Sequence, residues 1–149
     1  MQALIRTSPE IEKALLTAGL ETGGCENGLV FQAGAVEADW PAVRAELSSA
    51  FDLARQAAIA QAPMVFIVEG DDLLGRRGAP RAMVATGLLS AARTAGVELA
   101  KSGAPVNTLS IGSDTAAEVA ARWVMNLLGG GTSGELVRLG TAHIGKALP

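Results

Sequence analysis

Met83-Val84-Ala85-Thr86-Gly87-Leu88-Leu89-Ser90-Ala91-Ala92-Arg93-Thr94-Ala95-Gly96-Val97-Glu98-Leu99-Ala100-Lys101-Ser102-Gly103-Ala104-Pro105-Val106-Asn107-Thr108-Leu109-Ser110-Ile111-Gly112 is the stretch that decides the fold. Small and aliphatic residues fill a helix-length segment that Pro80 can open at its first position and that runs to about Ser102. A short loop then leads into the strand Pro105 to Ile111, and Gly112 closes it with a turn. A helix feeding a buried strand through a short loop is the second half of a βαβ unit.

The segments on either side repeat this alternation. Upstream, Pro63-Met64-Val65-Phe66-Ile67-Val68 is an unbroken apolar run of strand length, which suits a central parallel strand covered on both faces. Before it, Asp39-Trp40-Pro41 caps a helix running to about Gln61, with Val43, Leu47, Ala50, Phe51, Ala54, Ala57 and Ala58 at helical spacing. Gly28 to Gln32 reads as another buried strand, and Glu21 to Gly28 as a loop. At the start, Ala3 to Arg6 forms a short strand. Ser8 then caps a helix from Pro9 to about Leu20. Downstream, the charged loop Glu69 to Arg77 precedes Pro80. Thr115-Ala116-Ala117-Glu118 has a capping-box pattern for a helix to about Leu128, and Glu135 to Gly140 supplies a last strand.

The expectation is one α/β domain over residues 1–149, a Rossmann-like three-layer sandwich whose mostly parallel sheet has about five strands, with helices on both faces. Aromatic residues are only 3% of the chain against 49% hydrophobic, so the core is built from Ala, Val, Leu and Ile in close approach. A net charge of -3 lacks the basic footprint of a nucleic-acid binder. One cysteine, Cys25, excludes an internal disulfide and a cysteine zinc site, and no metal site is expected. No segment resembles a signal peptide or a membrane span, so a cytoplasmic protein without membrane partners is expected.

Several segments, in order, resemble the short-chain dehydrogenase/reductase (SDR) family from Gly28 to Lys146. Phe31-Gln32-Ala33-Gly34 resembles the Asn-Asn-Ala-Gly segment that ends the family's fourth strand. Glu46-Leu47-Ser48-Ser49-Ala50-Phe51 resembles the helix that carries its catalytic asparagine. Val65 to Val68, Val106-Asn107 with Gly112, and Gly134-Glu135-Leu136-Val137 resemble its last three strands. The resemblance implies that asparagine, serine, tyrosine and lysine positions are occupied here by Glu46, a residue near Asp72, Arg81 and Ala85. The chain contains no tyrosine at all. An arginine stays protonated and alanine offers no hydrogen bond, so no catalytic residue of the family type is expected.

The expected cofactor site is also altered. The turn after the first strand reads Thr7-Ser8-Pro9-Glu10 instead of a glycine fingerprint; Pro9 removes a donor and Glu10 adds charge opposed to phosphate. Only 27 residues precede Gly28, which implies that the two strands of the adenosine half are deleted and that the sheet keeps the family order one-four-five-six-seven. No cofactor is therefore expected, with NAD(P), another nucleotide or an acyl thioester as the alternative. That ligand would lie in a residual crevice at Ala33, Gly34, Ser110 and Gly112, with Arg81 holding an anionic group. Gly129, Gly131 and Gly134 fit G-x-G-x-x-G literally, but they follow a helix and read as a turn. His143 reads as a tail residue and Cys25 as an inert thiol. A hydrolase using Glu46 and Asp72 as paired carboxylates has no support from spacing.

The resemblance further implies that the helices Asp39–Gln61 and Pro80–Ser102 pair with their counterparts in another subunit. The second is apolar around nearly its whole circumference, as a helix covered on both sides would be. Contacts are expected at Leu47, Phe51, Ala54, Ala58, Thr86, Leu89, Ala92 and Arg93. The expected function is a non-catalytic SDR-like subunit, forming a homo-oligomer or a hetero-oligomer with a full-length SDR.

Overall fold

The structure, a computed structural model, describes residues 1–36 and 39–140. Its elements are β1 (Gln2–Arg6), α1 (Pro9–Thr17), β2 (Glu21–Thr22), β3 (Leu29–Gln32), α2 (Trp40–Ile59), β4 (Met64–Glu69), α3 (Gly70–Leu73), α4 (Ala79–Glu98), β5 (Val106–Ile111), α5 (Ala117–Leu128) and β6 (Leu136–Arg138). All strand pairs are parallel, in the order β2-β1-β3-β4-β5-β6.

Strand β4 shows how the layers form. Successive side chains point to opposite faces. Met64, Phe66 and Val68 pack into the core beneath α2 and α4, with Ala50, Ala57, Val84, Ala85, Leu88 and Ala92. Val65 and Ile67 enter the other core with Ile11, Leu15, Ala120, Val124 and Leu128 from α1 and α5. A continuous apolar run is what a strand covered on both sides requires. The three-layer α/β sandwich is therefore present.

Among the described residues the sheet has six strands where about five are expected. The extra one, β2, falls within the expected loop Glu21 to Gly28. It pairs on the outer side of β1 through the backbone, Glu21 N–H donating to Met1 O at 2.9 Å and Gly23 N–H to Ala3 O at 2.8 Å, with one exposed side-chain bond, Gln2 Nε2 donating to Glu21 Oε2 at 3.1 Å. Its two side chains are exposed, so hydropathy carries no trace of it. Within the expected charged loop, Gly70–Leu73 forms the short helix α3.

Ser8 caps α1 as its sequence predicts, accepting from Ile11 N–H, with Pro9 opening the helix. The capping box at the start of α5 does not form. Ala116 is the cap, and the Thr115 hydroxyl instead accepts the Gly112 N–H at 2.9 Å. Asp39 begins α2 without a side-chain cap bond. The glycine-rich segment after α5 is a turn: Gly130, Gly131 and Gly134 have positive φ, and Asn107 ties the segment to β5 through Thr132 O and Glu135 N–H. Among the described residues no helix is long and apolar enough to cross a membrane, and no group of acidic, His or Cys residues is placed to hold a metal. His143 lies outside the described residues.

Candidate functional site

In a parallel sheet the carboxyl ends of the strands face the loops that enter the helices, and a crevice forms there. Here it comprises two cavities of about 440 Å³ each. The first is lined by Arg6, Thr7, Ser8, Gln32–Ala35, Glu69, Asp72, Arg77 and Arg81. The second lies beyond β4 and is lined by Ser110, Gly112, Asp114 and Arg138, among others. Glu69 and Arg77 border both. The crevice residues expected from the sequence are thus split, Ala33 and Gly34 on the first cavity, Ser110 and Gly112 on the second.

The four altered positions have separate fates. Glu46 does not line the crevice; its carboxylate is consumed beneath it. Oε1 accepts from Arg6 Nη1 at 3.0 Å and from Gly34 N–H at 2.7 Å, while Oε2 accepts from Arg6 Nη2 at 2.7 Å. Burial alone would raise its pKa, but the Arg6 hydrogen bond and charge, with the Gly34 N–H, hold it below the usual carboxylate range. A Cβ at position 34 would lie 3.2 Å from Oε1, so glycine allows this approach. Arg6 also lies over the Phe31 ring, 4.3 Å from its centroid.

Asp72 sits on α3 with its side chain only 9% exposed. Arg77 Nε stands 2.8 Å from Asp72 Oδ1, but the angle is not that of a hydrogen bond, so this oxygen is charge-paired and still lacks a donor. The same guanidinium lies 3.4 Å from Glu69 Oε2. Burial pushes the Glu69 carboxyl up, with Asp72 and Asp71 adding to the effect and Arg77 opposing it. Arg81, in the first turn of α4, lines the first cavity with no partner among the described residues. Ala85 is buried in the core one turn further on. Glu46 and Asp72 therefore do not form a carboxylate pair. It is Glu69 that joins Asp72, through Arg77, all three from the charged run Glu69 to Arg77.

No family model matches the sequence, and no curated protein does. Solved structures do. An oxidoreductase (short chain dehydrogenase/reductase) from Brucella ovis aligns with a TM-score of 0.69 at 12% identity, over 93% of this chain and 99% of that one. The TT0495 protein from Thermus thermophilus gives 0.65 at 18%, over 93% and 85%. The fold is that of the short-chain dehydrogenases/reductases. A further Brucella ovis structure of this type, solved with a partially ordered NAD, gives 0.69 at 14% over 93% of this chain and 98% of that one.

The SDR fold raises the question of whether the β1–α1 turn suits a dinucleotide. Its residues do not fit one. Ser8 N–H, which would face a pyrophosphate, donates to Gln32 Oε1 at 2.7 Å; Pro9 has no N–H; and Glu10 and Glu12 place negative charge in the first turn. On the outer side of β1, where the SDR adenosine half would lie, there is the two-residue β2.

The α2–α4 face separates the residues expected at an interface. Phe51 is 66% exposed, and Thr86 and Arg93 are exposed. Leu47, Ala54 and Ala58 are partly buried against the core, and Leu89 is half-buried. Ala92 is a correction: it is 0% exposed in the chain's own core and offers nothing to a partner. The missed apolar residues on these helices are Trp40, Ile59, Met83 and Val97, all exposed.

Proposed function

We propose that the chain is a non-catalytic subunit of SDR type, working in the cytoplasm without a nicotinamide cofactor. It associates through α2 and α4 with a second copy of itself or with a full-length SDR. One observation carries this reading. Trp40, Phe51, Ile59, Met83 and Val97 are five of the eight exposed large hydrophobic side chains among the described residues, and all five lie on these two helices. Apolar side chains concentrated on one helix pair mark an interaction surface more than the same residues scattered singly. The non-catalytic part rests on the absence of tyrosine from the chain and on Ala85 being core.

Light scattering on the purified chain, alone and after co-expression with a full-length SDR, tests it. Association abolished by Phe51→Asp with Val97→Asp is the expected result. A monomer under both conditions overturns the reading.

The alternative is a residual NAD(P)-dependent oxidoreductase, or a protein binding a nucleotide or acyl-CoA. The fold and the NAD held by the Brucella ovis neighbour favour it, and the Ser8–Gln32 bond opposes it. Calorimetric titration with NADH, NADPH and coenzyme A separates the two: saturable heat supports the alternative.

A further inference from the structure

The first cavity offers three guanidinium groups, and two are committed. Arg6 is held by both oxygens of Glu46, and Arg77 is shared between Asp72 and Glu69. Arg81 alone has no acceptor among the described residues, although it lines the cavity and is only partly exposed. A half-buried guanidinium with five donors and no acceptor is a receptor for a planar anion, because the pairing is bidentate and partly desolvated. The same cavity also holds acceptors. Asp72 lines it with a side chain that is 9% exposed and an Oδ1 buried against Arg77 Nε at 2.8 Å, which leaves Oδ2 as the oxygen a ligand could reach, and Glu69 lines the same cavity. Both groups would repel a multiply charged anion and accept from a hydroxyl or ammonium group.

We propose that this cavity binds a small organic monocarboxylate whose carboxylate pairs with Arg81 and whose hydroxyl or ammonium group donates to Asp72. The site is independent of α2–α4 association. A phosphate dianion fits less well, since one uncommitted cation would face two carboxylates. A dinucleotide is disfavoured at the β1–α1 turn, where Ser8 N–H is already bonded to Gln32. With about 440 Å³ available and an open side, a branched acid of a few carbons is accommodated.

The test uses the full chain and three acids of one carbon skeleton: 2-hydroxyisovalerate, valine and isovalerate, with inorganic phosphate and NADH as further probes. Backbone amide shifts are followed by NMR during titration. Saturable shifts are expected at the β1–α1 turn and the start of α4 with 2-hydroxyisovalerate or valine, with isovalerate at least fivefold weaker. Arg81→Gln should weaken binding at least tenfold and Asp72→Asn several-fold, whereas Arg122→Ala, an exposed arginine of α5 outside the cavity, leaves it unchanged. If Asp72→Asn unfolds the chain, the isovalerate comparison carries the donor half of the test. Shifts that are equal for all three acids, insensitive to Arg81→Gln, confined to phosphate or NADH, or absent at millimolar concentrations would overturn the proposal.

Discussion

Arg6 at the end of β1 and Glu46 in α2, 40 residues apart in sequence, grip one another through both terminal guanidinium nitrogens and both carboxylate oxygens. A third bond, from Gly34 N–H, ties the loop after β3 into the same clasp. The pair joins a strand, a loop and a helix from three parts of the chain, and it stands where the SDR resemblance implies a catalytic asparagine. Its chemistry is that of a fastener: both oxygens are occupied by donors within the protein.

Glu46→Ala should therefore destabilise the fold by about 1–3 kcal/mol, since it strands the Gly34 N–H and removes one partner of a part-buried ion pair. Arg6 is 40% exposed on its side chain and can regain water, so the loss should fall toward the lower end. Urea unfolding with an unchanged m-value is the measurement.

Stability should respond to pH through two carboxyls of opposite sign. Glu46 titrates lower when folded than unfolded, so its contribution is full above the ordinary glutamate range and is lost as pH falls through the folded value. Glu69 titrates higher when folded, so its contribution is present at low pH and is lost as pH rises through its folded value. Glu46→Gln should flatten the acid limb of the stability–pH curve, and Glu69→Gln should flatten the limb just above it. Unfolding free energies across pH 3 to about 7 check both.

Two glycines in α4 should behave differently on replacement by alanine. At Gly87 a Cβ would meet Leu47 Cδ2 at 2.9 Å, the movable end of a partly buried side chain. Gly87→Ala should therefore be neutral or gain up to about 1 kcal/mol of helix propensity. At Gly96 a Cβ would meet Gly134 backbone at 3.2 Å and 3.3 Å, and Ser133 Oγ at 3.1 Å. That loop must move, so Gly96→Ala should lower Tm while Gly87→Ala does not.

Thr108 on β5 is fully buried, and its hydroxyl has no hydrogen-bond partner among the described residues. Thr108→Val keeps the shape, removes a desolvated polar atom and should stabilise by about 1 kcal/mol. A higher urea midpoint confirms it.

What the sequence discloses follows from where its information sits. β4 and β5 were legible because burial on both faces writes an uninterrupted apolar run, and α1 because Ser8-Pro9 is a local signal. β2 was not, being two exposed residues held mainly by backbone bonds that any residue supplies, with a Gln2–Glu21 contact 19 residues apart. The Arg6–Glu46 clasp was not, because nothing local marks a pair 40 residues apart. The composition of α4 gave an apolar helix but not its orientation. Its near-uniform coat of small residues has little directional bias, so the pattern alone does not show that Ala92 faces the core. At Asp72, the local sequence shows a charged run, and the fold sorts it: Glu69, Asp72, Arg77 and Arg81 line one cavity while Asp71 and Arg76 pair outside it.

The chain has two tryptophans and no tyrosine. Trp40 opens α2 on the exposed apolar face, whereas Trp123 belongs to α5, on the far side of the sheet. The protein thus carries its own optical sensor and its own reference. Docking at α2 and α4 would shift Trp40 emission to shorter wavelength and shield it from iodide, leaving Trp123 as an internal standard. Replacing either tryptophan with phenylalanine assigns the two signals, so partner engagement can be followed in a cuvette without a dye.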